Sequence, residues 1–213
     1  MKYVDHSPES DWGVIETDKF KIKQDLDKRL FVIDNFYENP NEVRFFALQQ
    51  LFFDDGGYLG MRTRKQFFFD GVKEKFEEII GQKIVDWENQ GMNGRFQSNK
   101  AGIPLVYHCD QQKWAAMIFL SPDAPPQAGT SFFRHKETKV HHNSQIDWGP
   151  NGNGNKVFNN LTFLDSTPYE LVDRVGNVFN RLVIFDGGLI HAASDYFGWD
   201  ISSGRLWHMF FFS

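Results

Sequence analysis

The chain has 213 residues and a formal charge of -5, with 23 Lys and Arg set among 28 Asp and Glu. That length fits one well-buried domain, and the scattered charge offers no basic stripe for phosphates, so nucleic acid is not an expected partner. Phenylalanine supplies 23 residues and promises a large aromatic core, which a disordered chain would lack. No uninterrupted apolar run approaches the roughly 20 residues that cross a bilayer, and the start MKYVDHSPES lacks the apolar core of a secretory leader, so neither membrane nor export is expected. Cys109 stands alone, which excludes an internal disulfide and a cysteine-rich zinc module and suits the reducing cytoplasm.

In chain order, residues 1–92 read as strand and helix support. Leu30 to Ile33 form a short apolar run, and Asn39-Pro40-Asn41-Glu42 then signals a helix start: Asn39 to cap, Pro40 at the first turn, Glu42 to reach back. Val43, Phe46, Ala47 and Leu51 follow at helical spacing. A second helix is expected from Asp70 to Ile80, with Val72, Phe76, Ile79 and Ile80 on one side and Gly81 as its stop.

From residue 93 to 213 the period changes to short segments between turns: Gly94 to Ser98, Leu105 to His108, Trp114 to Leu120, Thr130 to Lys136, Leu182 to Asp186, Leu189 to Ala193 and Arg205 to Phe212. The expectation is a single, mainly β domain with N-terminal helices, whose core is an antiparallel jelly roll. The polar, Asn- and Gly-rich stretch 136–156 is too long for an ordinary connection and reads as a lid or binding loop. Within it, Trp148 has little local core to join, and His141 and His142 read as solvated.

His108 and Asp110 end an apolar run, and strand alternation sends both to one face while Cys109 points to the other. His191 lies 81 residues after Asp110, just beyond the Gly187-Gly188 turn that implies a neighbouring strand. Two imidazoles and a carboxylate with open positions form a ferrous oxygenase arrangement, and zinc is the other metal such ligands take. A second pair of the same pattern, His135 and Glu137, enters the polar loop without a following apolar strand and reads as a solvated strand end. Arg205, 14 residues beyond His191, shares a strand face with Trp207, Met209 and Phe211, so a guanidinium enters an apolar surface. It calls for a carboxylate, either a bound one or an internal Asp or Glu.

The order His-x-Asp, distant His, then Arg on the last strand resembles the iron(II)- and 2-oxoglutarate-dependent oxygenase superfamily, especially its prolyl-hydroxylase-like branch, over about residues 30 to 213. Trp114 to Leu120, Gly129 to His135, Asn180 to Asp186, His191 and Gly204-Arg205-Leu206 are similar to a little-characterised bacterial and phage family within it. The resemblance implies a double-stranded β-helix, cupin-like, with Fe(II) on His108, Asp110 and His191. It further implies 2-oxoglutarate as cosubstrate with its far carboxylate on Arg205, Tyr107 or Thr130 as hydroxyl partner, and a peptide or small metabolite as prime substrate. Trp207 departs from the pattern, since a hydroxyl residue often stands two places after the Arg. Competing readings are a cupin-type metal enzyme without 2-oxoglutarate and a non-catalytic metal-binding module. Nucleic-acid demethylases carry a second Arg six residues after the first, where this chain has Phe211.

Overall fold

The computed structural model describes residues 27–213 except 55, 57–58, 89–90 and 159–163, together with the backbone pairing of β1 (Lys2–Tyr3) and β2 (Ile15–Glu16). The rest of the amino-terminal stretch read above for a leader lies outside the described residues. Among the described residues no helix is long and apolar enough to cross a membrane.

Apolar residues at every second position need a covered face on each side of a buried strand, and the chain supplies two sheets and an outer layer. The large sheet has the order β3 (Leu30–Ile33), β10 (Leu182–Asp186), β7 (Trp114–Phe119), β12 (Arg205–Phe212), β6 (Arg95–Asn99), β5 (Met61–Thr63), β4 (Phe52–Phe53), all antiparallel. The small sheet is β11 (His191–Ala193), β8 (Thr130–His135) and β9 (Tyr169–Val175). The two sheets face each other through Ala115, Phe119, Val183, Phe185, Trp207 and Met209 on one side and Phe132 and Val175 on the other. Phe132 meets Phe185 edge to face at 5.2 Å between ring centroids.

The alternate residues of the large sheet, Trp114, Ala116, Ile118, Leu182, Ile184, Leu206, Phe210 and Phe212, point outward and are covered by the helices. Helix α1 spans Pro40–Leu48 and α2 spans Val72–Ile80. In α2 the fully buried Phe76 touches Trp87, Phe210 and Phe212, and Gly81 ends the helix with a φ of 73° that only glycine adopts cheaply. At α1 the expected side-chain capping is absent: Pro40 opens the helix, but Asn39 makes no side-chain cap bond, and its carbonyl accepts from Glu42 and Val43 instead.

The small sheet's outward side chains Phe133, Tyr169 and Ala192, with the adjoining Tyr107 and Ile190, are covered by Val140, Ile146, Val157 and Phe158, and the strand expected from Leu105 to His108 is reduced to an isolated bridge at His108. The stretch 136–156, together with the short helix α3 (Gly154–Val157), is thus the cover of that outer face rather than a cap over the space between the sheets. Its apolar residues, widely spaced in sequence, have the outer face as their place of burial. Trp148 rests against Gly154, where an added Cβ would lie 2.5 Å from its ring, and is 66% exposed.

Candidate metal centre

His108 and His191 sit directly opposite each other and exchange both backbone bonds: His108 N–H donates to His191 O at 3.0 Å, and His191 N–H to His108 O at 2.9 Å. Side chains of such a pair project to the same face, here the inner one, and the two rings lie 4.3 Å apart. Asp110 follows two residues on. Its N–H donates to Gly187 O at 2.7 Å, and a Cβ at Gly187 would come within 2.4 Å of Gln112 O, so glycine is required where the turn passes this close. One ligand atom from each of His108, Asp110 and His191 lies within 4.8 Å of the others.

Both imidazoles are oriented by main chain. Nδ1 of His108 faces Val106 O at 3.0 Å and Nδ1 of His191 faces Leu189 O at 2.8 Å. A carbonyl only accepts, so each Nδ1 carries the proton and each Nε2 presents a lone pair inward. Those lone pairs point at Asp110: His108 Nε2 is 3.5 Å from Oδ1 and His191 Nε2 is 3.4 Å from Oδ2. Oδ2 is buried with no hydrogen-bond donor. Two imidazole nitrogens and a buried carboxylate oxygen without a donor converging on one space is what a cation resolves, so the residues fit a metal. Burial, aided by the neighbouring His108, drops the His191 pKa to about 4 and keeps its ring neutral. For Asp110, burial acts upward but the two imidazoles outweigh it and the net shift is downward. For His108, burial acts downward and is outweighed by Asp110, giving a net rise.

The three ligands line a cavity of about 580 Å³ between the sheets. Arg205 and Thr130 line it as well. Arg205 is 2% exposed, donating from Nε to Ala128 O at 3.0 Å and from Nη2 to Gly129 O at 3.1 Å and Thr130 Oγ1 at 3.3 Å. Its guanidinium lies 4.3 Å from the Trp207 ring centroid. No carboxylate among the described residues pairs with it; the internal ion pair considered from the sequence is not there. Burial pushes its pKa down to about 10, which leaves it charged at neutral pH. The Thr130 hydroxyl spends its proton on Met117 Sδ at 3.0 Å, a weak acceptor that a carboxylate oxygen readily replaces.

Tyr107, one residue from His108, alternates to the outer face, stacks on Tyr169 at 5.1 Å and does not line the cavity. His135 and Glu137 are not brought to a third ligand: His135 Nδ1 meets Thr138 Oγ1, and Glu137 pairs with Lys156. The expected lid 136–156 contributes no lining residue. The walls come instead from Leu59, Arg62, Met92, Gln97 and Tyr196, which sequence reasoning did not single out. Arg62 donates to Gln97 Oε1 at 2.8 Å across β5 and β6. Its strand is three residues long, too short to show a period.

Among curated proteins none matches the sequence. Among solved structures, HygX from Streptomyces hygroscopicus with nickel, 2-oxoglutarate and hygromycin B bound superimposes at a TM-score of 0.52 with 12% identity, over 84% of this chain and 80% of that one. HygX has also been solved with iron bound. A Trichoplax adhaerens prolyl hydroxylase in complex with a hypoxia inducible factor oxygen degradation domain peptide fragment gives 0.47 and 12% over 86% and 83%, and a Pseudomonas putida prolyl-4-hydroxylase gives 0.44 and 14% over 86% and 91%. The neighbours are iron(II)- and 2-oxoglutarate-dependent oxygenases, and the likeness to HygX shows the shared jelly-roll fold. A family profile matches residues 18–212, and the chain belongs to that family, DUF6445, a family of unknown function.

Proposed function

We propose that the protein is an Fe(II)- and 2-oxoglutarate-dependent oxygenase of the cytoplasm that hydroxylates a small molecule or a peptide side chain. The observation that carries this reading is a buried guanidinium with no carboxylate partner among the described residues, in the same cavity as two imidazoles and a carboxylate whose Oδ2 meets no donor. Leaving a charge unpaired in a dry interior costs several kcal/mol, about what a bound carboxylate on Arg205 would recover. His108, Asp110 and His191 would hold the iron, and Arg205 with Thr130 would take the far carboxylate of the cosubstrate. Bound iron and 2-oxoglutarate would supply the oxidising chemistry, releasing succinate and CO2 as the prime substrate is hydroxylated.

The chain's own part is placement. The backbone pair between His108 and His191 fixes two ligands on one face, and the carbonyls of Val106 and Leu189 set the tautomer that ligation needs. Ala115, Met117, Phe185, Trp207 and Met209 keep the space beside the metal apolar, which protects a reactive centre from water. Anaerobic titration of 2-oxoglutarate into Ni(II)-loaded protein, followed by succinate formation with Fe(II), tests the reading. Tight 2-oxoglutarate binding and turnover are expected. Metal binding without either would favour a cupin-type metal enzyme.

A further inference from the structure

His142 lies in the stretch 136–156, outside the cavity, yet its side chain is only 13% exposed. Its Nδ1 accepts the Ser144 N–H at 3.1 Å, and a backbone N–H can only donate, so the ring proton is on Nε2. That Nε2–H donates to Asp186 Oδ1 at 3.1 Å. The same oxygen accepts the Gly188 N–H at 3.0 Å. Around this contact the chain is fastened on both sides: Asn143 N–H donates to Gly188 O at 2.7 Å and Ile190 N–H to His141 O at 3.0 Å.

The Gly187-Gly188 turn held in this way is where the ligands hang. Gly187 O receives the Asp110 N–H, and Leu189 O, bridged to His142 through the backbone, orients the His191 ring. Gly188 leaves room for the imidazole, since a Cβ there would lie 2.3 Å from His142 Nε2. We propose that His142 is a positioning residue of the metal centre, acting through Asp186 to fix the turn that sets Asp110 and His191. The inference rests on the metal reading above and extends it to a residue two contacts removed from the ligands. Small displacements of a ligand's support lower metal affinity markedly, because the ligand atoms must meet one point.

The test is titration of metal-free protein with Co(II), read by calorimetry and by the ligand-field spectrum at saturation, beside the melting temperature of the metal-free form. His142→Ala is expected to weaken Co(II) by about tenfold or more and to change the band envelope. His142→Gln, whose amide N–H reaches the same oxygen, should return affinity to within about threefold of wild type. His141→Ala, which removes a side chain whose backbone oxygen does the bonding, should change nothing. Gly188→Ala keeps both His142 and Asp186 but drives the ring off, and should match the loss in His142→Ala, so the proposal stays open to refutation if the latter does not fold. Wild-type affinity in folded His142→Ala or in Gly188→Ala overturns the proposal, as does a Gln variant as weak as Ala. Wild-type protein that takes up no Co(II) overturns the metal reading itself and this inference with it.

Discussion

Arg205 and Asp110 are each left short of a partner by the protein, and each shortage has a chemical identity. Among the described residues the guanidinium lacks an anion and the carboxylate's Oδ2 lacks a donor, so removal of either side chain separates two binding events. Arg205→Ala should keep metal affinity nearly intact while weakening 2-oxoglutarate by roughly 2 to 5 kcal/mol, the range for losing one member of a desolvated charge pair. Lys at this position should recover only part, because an ammonium restores charge but not the planar two-donor fork. Isothermal titration of 2-oxoglutarate into the Ni(II)-loaded variants measures both, and unchanged affinity in Arg205→Ala would move the anchor elsewhere. Asp110→Ala should abolish metal uptake without unfolding the chain, since the buried Oδ2 is an acceptor that no donor meets; a variant retaining wild-type Ni(II) affinity would contradict the assignment.

Elements divide cleanly into those that build the site and those that shield it. Phe210 is fully buried on the outer face of β12, with rings of Phe76 and Trp87 at 5.2 and 5.4 Å, while its neighbour Met209 faces the cavity. Phe210→Ala should therefore cost about 3 to 5 kcal/mol in unfolding free energy by denaturant titration, yet leave metal affinity unchanged. A large drop in affinity would mean that the helical layer also sets the site. Alternation made much of this legible in the sequence: β10 and β12 fall at the expected residues, and the split of β12 into Arg205, Trp207, Met209 and Phe211 against the rest is the observed one. His108 and Asp110 were legible from their spacing by two, although they end in an isolated bridge and a loop rather than a strand, and His191 from its place just after the Gly187-Gly188 turn. Other parts carried no such signal. β9 is an edge strand whose residues Leu171 to Arg174 are exposed, so its pattern is mixed, and β5 with Arg62 is three residues long. The stretch 136–156 reads as a lid in sequence because its burying residues Val140 and Ile146 are dispersed among polar ones and show no helical or strand period.

At the scale of the whole molecule, the structure is three apolar layers, and His208 shows how a titratable ring is accommodated in one of them. It is fully buried in the outer layer, with ring centroids of Phe96 and Phe210 both at 4.3 Å. Nε2 faces the carbonyls of Phe67 and Gly94 at 3.0 and 3.2 Å, so it holds the proton and donates, while Nδ1 accepts from the Tyr37 hydroxyl at 2.8 Å. The ring is thus fully bonded while neutral, and burial drops its pKa to about 3 although the two carbonyls oppose the shift. The unfolded chain, with an imidazole near 6.5, binds the proton that the folded chain refuses. Stability from this group is therefore complete above about pH 6.5 and is lost at about 1.4 kcal/mol per pH unit as the pH falls towards 3, or roughly 2 kcal/mol by pH 5. Unfolding free energies of metal-free wild type and His208→Gln, measured from pH 7 to pH 5, should diverge in slope: the variant starts less stable but loses about 2 kcal/mol less over the interval. Comparison within one protein cancels the contribution of His191, whose pKa is also depressed and which is present in both forms. Parallel slopes for the two proteins would show that His208 is protonated inside the fold, and that the aromatic layer tolerates a buried charge.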